Sequence, residues 1–252
     1  MKNFVVSDIH DHYDLLMEAL NRNGFDMNSD DHRLIVCGDA FYSGPQPGEL
    51  FVFLRELSEK DRLIFIYGNH DIELLDNLRA KQFTRPANRK CADLIVGYLT
   101  RRLGLTDDEL VSECERLGFA GFLADTPVWY YENENYVFTH GFIPTDKKAY
   151  RPDWRDATEK EWRTASARGD AMALSMRYGI SEPSKKIVCG HYSAARCYRM
   201  KNATQADWDN KIYRDVSGVP ADGFKPFFGD TFIAIDQSVK KTGFMNCIII
   251  EE

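Results

Sequence analysis

The 252-residue chain is 44% hydrophobic and 28% charged, the composition of an ordinary globular protein long enough to bury a sizeable core. Its formal charge of −7 argues against a dedicated nucleic-acid-binding protein, because phosphate backbones select a basic surface. No apolar run approaches the ~20 residues of a membrane span, and acidic residues near the amino terminus leave no hydrophobic signal-peptide region. We therefore expect a cytoplasmic protein with no membrane partner.

Short apolar runs that end in polar clusters predict strands. Their length and β-branched content are typical of buried strands whose polar residues lie just past the carboxyl end. Two predicted amphipathic helices lie between the first three of these strands, and Gly24 stands where the first helix would end. This alternation predicts an α/β sheet with a site at the strand ends. The runs are “NFVVSDIH”, “RLIVCGDA”, “RLIFIYGNHD”, “YVFTHGF” and “KIVCGHYS”.

Two mostly helical segments interrupt the alternation, and we expect both to be insertions packed near the site. The first covers residues 72–124 and contains a capping box formed by Thr106 and Glu109. The second covers residues 145–184. A hairpin is predicted to turn at 132–135, and “DTFIAID” and “MNCIIIEE” supply two final strands. Without internal repeats or low-complexity tracts, the chain is interpreted as one domain spanning residues 1–252.

The six cysteines form no C-x-x-C pair, and three of them lie in strand-like apolar runs. This pattern favours buried free thiols over disulfides or a zinc site. It also agrees with a reducing cytosol.

Seven polar side chains at the strand ends are candidates for a functional site. Each alone has a structural explanation, such as a helix N-cap, a turn residue or a hydrogen-bonded core histidine. Together they supply the carboxylate, imidazole and amide ligands of a divalent metal such as manganese, iron or zinc. A carboxylate shared by two ions would hold them ~3.5–4 Å apart, the geometry used for phosphoryl transfer to water. The candidates are Asp8, His10, Asp39, Asn69, His70, His140 and His191.

The motifs “SDIH”, “CGDAFYSG”, “YGNHD”, “THGF” and “CGHY”, within residues 6–192, resemble in order and spacing those of the calcineurin-like metallophosphoesterases. The resemblance is nearest the branch of bacterial serine/threonine protein phosphatases and symmetrical diadenosine tetraphosphate hydrolases. It implies an α-β-β-α sandwich of two mixed sheets flanked by helices. It also implies a binuclear centre of two divalent ions, with manganese the first expectation and iron or zinc as alternatives.

The resemblance also assigns roles to the candidate residues. Asp8 and His10 would hold the first metal, and Asp39 would bridge both. Asn69, His140 and His191 would complete the second. His70 would be the general acid that protonates the leaving oxygen, and a water or hydroxide bridging the metals would be the nucleophile.

One loop departs from the family pattern. The related branch has GDxxDRG, whose aspartate supports the general-acid histidine and whose arginine binds the substrate phosphate. This chain has Tyr42 and Ser43 at those two positions. Losing a charge-assisted bond worth ~1.5–3 kcal/mol would cost about 10–100-fold in binding or rate. Tyr42 could still accept a hydrogen bond from His70.

Two arginines in “EWRTASARGD” are candidate replacements for the missing phosphate ligand. Arg168 is favoured over Arg163, because it lies nearer to where the family's phosphate-binding arginine falls. The alternative for either is a solvated helix face.

The leading hypothesis is a phosphatase-like, two-metal hydrolase acting on a phosphate ester or nucleotide phosphoanhydride. Its partner would be a phosphorylated small molecule, a nucleotide or a phosphoprotein. A degenerate member that binds metal and a phosphorylated partner without turnover also explains Tyr42 and Ser43. A phosphodiesterase with altered substrate is a further alternative, although the acidic balance argues against nucleic acid as that substrate.

Overall fold

The computed structural model describes residues 1–168 and 171–251. Residues 169, 170 and 252, which the predicted second insertion and single domain include, lie outside the described residues. The strands are β1 Lys2–Val6, β2 His32–Cys37, β3 Leu63–Ile66, β4 Tyr131–Glu132, β5 Tyr136–Thr139, β6 Lys186–Cys189, β7 Phe227–Phe228, β8 Phe232–Ala234 and β9 Ile248–Glu251.

The helices alternate with the strands in the first third of the chain and are grouped afterwards. They are α1 Tyr13–Arg22, α2 Pro47–Glu59, α3 Asn69–Ala80, α4 Pro86–Thr100, α5 Asp107–Arg116, α6 Phe119–Asp125, α7 Glu159–Ser166, α8 Ala171–Tyr178, α9 Ala194–Lys201, α10 Gln205–Asp209 and α11 Val239–Thr242. Short 3-10 helices lie at Trp154–Asp156, Ile212–Arg214 and Ala221–Phe224.

Two mixed sheets form the centre of the fold. The first has the order β3-β2-β1-β9, in which β9 is antiparallel to its neighbour. The second has the order β4-β5-β6-β8-β7, with parallel central strands and antiparallel edges. The predicted class, two mixed sheets flanked by helices, is confirmed. The two-residue strand β7 was not predicted, because it is too short to show a pattern.

Alternating side chains of each strand enter different apolar layers. In β1, Phe4 and Val6 pack with the helices that cover the first sheet, whereas Val5 lies between the two sheets. Phe138 and Val188 enter the space between the sheets from the second sheet. Because successive side chains of a strand point to opposite faces, continuous apolar strands serve both layers of the sandwich.

The helical segments cover the two outer faces. Helices α4 and α5 fall within the predicted 72–124 segment and α6 ends one residue beyond it, and all three contribute to the core on the first sheet. Helices α7 and α8, from the predicted 145–184 segment, pack on the second sheet. Thr106 and Glu109 form the predicted capping box of α5, and Gly24 follows the end of α1 with φ of 77°.

Three smaller features bear on the sequence predictions: the β4–β5 hairpin, the state of the cysteines and the length of the helices. Strands β4 and β5 form the predicted hairpin, in which Asn133 accepts hydrogen bonds from the backbone of Asn135 and Tyr136. The six cysteines are free thiols, as expected, and five of them are buried. Within residues 1–168 and 171–251, no helix combines the length and apolarity that a bilayer span requires.

Candidate metal centre

The carboxyl ends of five strands meet at one edge of the sandwich. Asp8 and Asp39 follow β1 and β2, and Asn69 begins α3 just after β3. His140 and His191 follow β5 and β6 of the other sheet. Parallel strands in the same sheet end on the same side, so the topology brings together residues that are distant in sequence.

Two groups of possible metal-ligand atoms lie in this region, and within each group all of the atoms are less than 4.8 Å from one another. One consists of Asp8, His10 and Asp39, and the other consists of Asp39, His140 and His191. Asp39 belongs to both groups. The arrangement therefore matches two neighbouring metal sites that share one carboxylate.

His140 is fixed by contacts at both ring nitrogens. Nδ1 lies 2.8 Å from the Cys37 carbonyl, which can only accept, so Nδ1 carries the proton. Nε2 lies 3.2 Å from Oδ1 of Asn69 and 3.3 Å from Oδ2 of Asp39. The backbone carbonyl thus orients the imidazole so that its other nitrogen faces two candidate ligands.

Four of the candidate ligands have a left-handed backbone. The φ angles are 52° for Asp8, 47° for His10, 53° for Asp39 and 58° for His191. Such conformations cost on the order of 1–3 kcal/mol each in a residue other than glycine, so surrounding contacts must hold them.

Backbone hydrogen bonds and close approaches supply those contacts. The amides of Asp8 and His10 donate to the carbonyls of Gly38 and Asp39, each at 3.0 Å. A Cβ at Gly68 would collide with the Asp39 backbone, and one at Gly190 would collide with the Asp8 carboxylate. The glycines of the “GNH” and “GHY” motifs therefore let the ligand loops approach each other.

Two buried carboxylates that were not assigned a role from the sequence hold the altered loop. Oδ2 of Asp11 accepts hydrogen bonds from the amides of Tyr42 and Gly44, both at 3.0 Å. Asp71 accepts from the amides of Phe41 and Gly68, also at 3.0 Å. Burial raises the pKa of each carboxyl to about 7, although the amide donors oppose the shift.

The electrostatics of the histidines fit metal ligation. Burial lowers the pKa of His10 and of His191 to about 4, so both rings are neutral near pH 7 and offer a lone pair. The buried Nδ1 atom of His10 has no hydrogen-bond partner among the described residues. The donor set and these neutral rings therefore fit a divalent cation.

Asp39 and His140 form a buried ion pair. Burial disfavours charge on both, but their mutual attraction outweighs it. The pKa of Asp39 is held below its usual range, and that of His140 is raised to about 10. A bound cation would replace the proton on Nε2 of His140 and leave the one on Nδ1, because an imidazole binds a metal through its deprotonated nitrogen.

His70 borders the same region. Its amide donates to Oδ1 of Asp39 at 2.9 Å, and its Nε2 lies 3.9 Å from Oδ2. The expected hydrogen bond to Tyr42 is replaced by stacking, because the two rings lie 3.7 Å apart and are nearly parallel. On its other side, Nδ1 lies 3.8 Å from the carboxylate of Glu73, which is also paired with Arg85.

The substrate-binding candidates divide between two pockets. Tyr42 lines a pocket of about 310 Å³ together with Asp8, His10 and His70. Arg168 instead lines a separate pocket of about 320 Å³, and its Nη1 lies 3.3 Å from the Thr145 hydroxyl.

Ser43 and Arg163 each have a defined partner. Ser43 accepts a hydrogen bond from the ammonium of Lys240. Arg163 forms ion pairs with Asp76 at 2.7 Å and Glu159 at 2.8 Å. A larger cavity of about 550 Å³ lies beside α9 and contains none of the candidate metal ligands.

The pocket that Tyr42 lines also includes residues from the carboxyl-terminal part of the chain, among them the adjacent lysines Lys240 and Lys241. Asp236, just after β8, and Lys240, in α11, line the pocket that contains Asp8 and Asp39. Burial, together with Asp236, raises the pKa of Asp8 well above its usual value. Neither residue belongs to the five motifs, and a lysine pair between two strands resembles an ordinary solvated turn.

The sequence is similar to a known protein family and, over shorter stretches, to individual proteins. A family model described as calcineurin-like phosphoesterase matches residues 1–217. The symmetrical bis(5'-nucleosyl)-tetraphosphatase of Proteus mirabilis is 30% identical over 116 residues, 43% of this chain and 41% of that protein. The corresponding protein of Vibrio vulnificus is 35% identical over 92 residues, 34% of this chain and 33% of that protein. The matches thus span less than half of these relatives.

Solved structures share the fold at low sequence identity. The cold-active protein-tyrosine phosphatase of a psychrophilic Shewanella aligns with a TM-score of 0.53 and 17% identity, covering 100% of this chain and 75% of that chain. A structure described as a proposed diadenosine tetraphosphatase aligns with a TM-score of 0.52 and 15% identity, covering 100% and 94%. At these identities the likeness is one of fold.

Proposed function

The chain belongs to the calcineurin-like phosphoesterase family, and on that premise we propose that it is a two-metal phosphohydrolase. The observation that carries the proposal is the pair of ligand groups that share Asp39. When bound, two divalent ions would coordinate the phosphoryl oxygens and lower the pKa of the attacking water. Manganese is the first candidate, with iron or zinc as alternatives.

Six residues would hold the two metal ions, and a seventh would transfer a proton. Asp8, His10 and Asp39 would hold one ion, and Asp39, Asn69, His140 and His191 would hold the other. The His70 ring lies at the edge of the same pocket, where its Nε2 could give a proton to the leaving oxygen. Its backbone bond to Asp39 couples its position to the shared ligand.

A nucleotide phosphoanhydride is the first candidate substrate, and a phosphate ester of a small molecule or phosphoprotein is the second. The curated relatives described above are symmetrical bis(5'-nucleosyl)-tetraphosphatases, which supports the anhydride. A substrate with several phosphates and a base also has more points of attachment than a simple ester. It would therefore depend less on the arginine that the “GDAFYSG” loop lacks.

The test compares hydrolysis of diadenosine tetraphosphate, p-nitrophenyl phosphate and bis-p-nitrophenyl phosphate with manganese. We expect metal-dependent turnover of at least one compound. Asp39→Asn should abolish it, and Asp14→Asn, a change at an exposed site, should leave it intact. If none of the three compounds is hydrolysed, or if Asp39→Asn is as active as wild type, the proposal fails.

The altered loop specifically favours a second candidate, a chain that binds metal and a phosphorylated partner without turnover. The double variant Tyr42→Asp with Ser43→Arg restores the residues of the related branch and separates the two candidates. If the scaffold is a retuned enzyme, we expect monoester hydrolysis to rise by about 10-fold or more. Absence of turnover in both wild type and double variant, with metal still bound, supports the second candidate.

A further inference from the structure

A lysine from the carboxyl-terminal helix lies at the altered loop. Residues Val239–Thr242 form the short helix α11 between β8 and β9, and Lys240 is exposed on it. Its ammonium donates to the Ser43 hydroxyl and lies 4.9 Å from the centre of the Tyr42 ring. Lys240 thus contacts the two side chains that stand in place of the family's aspartate and arginine.

Lys240 also lines the pocket that contains the candidate metal ligands. That pocket, of about 310 Å³, includes Asp8, His10, Asp39 and His70. The Tyr42 ring, whose centre lies 4.9 Å from the Lys240 ammonium, is itself in edge contact with the His10 ring at a centroid distance of 5.8 Å. The ammonium is therefore close enough to act electrostatically on a group inside the pocket.

Contacts outside the altered loop hold or separate the other candidate cations. Arg163 pairs with Asp76 and Glu159, and Arg168 lines the separate pocket. Lys241, next to Lys240, also lines the pocket, but its ammonium donates to the backbone carbonyls of Val216 and Ser217. Lys240, in contrast, has no carboxylate within ion-pair distance in the part of the chain that the structure describes.

We propose that Lys240 is the phosphate-binding cation of this site and replaces the loop arginine from a different part of the chain. This inference rests on the proposed function, because it assumes that the pocket receives a phosphoryl group. The ammonium would exchange its hydrogen bond to the neutral Ser43 hydroxyl for one to a non-bridging phosphate oxygen. Such a charge-assisted bond is about twice as strong as a neutral one.

The replacement changes how the phosphate is recognised. An arginine fork selects one planar, bidentate geometry, whereas an ammonium is a point charge on a flexible stem. The Tyr42 ring and the Ser43 hydroxyl would hold that charge at the pocket edge before substrate arrives. We therefore expect phosphate binding that depends on charge and tolerates differently oriented phosphates, in esters as well as in anhydrides.

The experiment measures binding of inorganic phosphate to the manganese-loaded protein by isothermal titration calorimetry, alongside kcat and KM for a hydrolysed substrate. Lys240→Met removes the charge from an exposed side chain and keeps most of the stem. We expect it to raise the phosphate Kd and the KM by about 10-fold or more. Lys240→Arg should restore most of the affinity. Lys241→Met removes the other lysine of the pocket and should change the Kd less than about two-fold, because that ammonium is held by backbone carbonyls.

The outcomes separate this inference from the proposed function. Wild-type phosphate affinity in Lys240→Met overturns the role of Lys240, even if Asp39-dependent turnover is present. Lysine-dependent phosphate binding without turnover supports Lys240 while the proposed function fails. Equal losses in Lys240→Met and Lys241→Met indicate a general charge effect and overturn the inference. A wild type that binds metal but no phosphate also overturns it.

Discussion

The rings of Tyr42 and His70 stack with their centroids 3.7 Å apart and an angle of 13° between their planes. Nδ1 of His70 has no hydrogen-bond partner among the described residues. The imidazole is therefore held by its backbone, by the face of a tyrosine and by the electrostatic influence of Asp39 and Glu73. Stacking on Tyr42 thus occurs where the family resemblance implies a supporting carboxylate.

Removing the aromatic face should therefore impair turnover more than removing its hydroxyl. Ring stacking is worth about 0.5–1.5 kcal/mol, so Tyr42→Ala should lower kcat by about 2–10-fold. Tyr42→Phe keeps the ring and should remain within about two-fold of wild type. Steady-state kinetics on the same substrate would check both variants. Equal losses in Phe and Ala would show that the hydroxyl, rather than the stacking face, is what matters.

We expect the Asp11 carboxylate to stabilise the folded protein through its hydrogen bonds to the altered loop. A single oxygen accepts from the amides of Tyr42 and Gly44, so an alanine would leave two donors without their partner. Asp11→Ala should lower the free energy of unfolding by about 2–4 kcal/mol. Asp11→Asn retains one acceptor oxygen and should cost less than about 1 kcal/mol. Urea denaturation of the three proteins would measure the difference, and similar losses in both variants would contradict it.

The strands and the clustering of the metal-ligand candidates were accessible from sequence because each depends on a local pattern. A short apolar run followed by a polar residue predicts both a buried strand and the position of its carboxyl end. Five such runs in one α/β topology are enough to bring Asp8, Asp39 and His140 to one edge. Once the order of the strands is known, the positions of the motif residues follow, because the carboxyl ends of parallel strands lie at the same edge of a sheet.

The contacts around the altered loop depend on the tertiary structure instead. Lys240 reaches Ser43 from a helix near the carboxyl terminus, and no spacing in the chain connects the two residues. The stacking of Tyr42 on His70 depends on ring orientation within the folded loop, so sequence alone suggested a hydrogen bond instead. Arg163 is paired with Asp76, which belongs to α3, and a long-range ion pair of this kind leaves no sequence signal.

Acid stability should depend on an ion-pair cluster at the β4–β5 hairpin. Hydrogen bonds from Arg155, together with Lys185, lower the pKa of Glu132 to about 2, although partial burial opposes the shift. Because the pKa in the folded state is depressed, the stabilisation is fully present above the unfolded pKa near 4.5. It is lost as the pH falls from about 4.5 to about 2.

Glu132→Gln removes this titration and tests the prediction. At pH 7 the variant should be less stable by about 1–2 kcal/mol, and the difference from wild type should disappear near pH 2. Chemical denaturation across this pH range would measure it. The exposed Glu134→Gln on the same hairpin is the matched control and should remain close to wild type throughout. A constant difference at all pH values would contradict the prediction.

Metal stoichiometry should follow the sharing of Asp39 between the two ligand groups. Wild type should bind about two manganese ions, and His10→Asn and His191→Asn should each retain about one, because each removes a ligand from one group only. Asp39→Asn should lose both at the same metal concentration. Elemental analysis after equilibrium dialysis would count the ions, with the exposed Asp14→Asn as control. If Asp39→Asn still held one ion, the carboxylate would belong to a single site and would not bridge two.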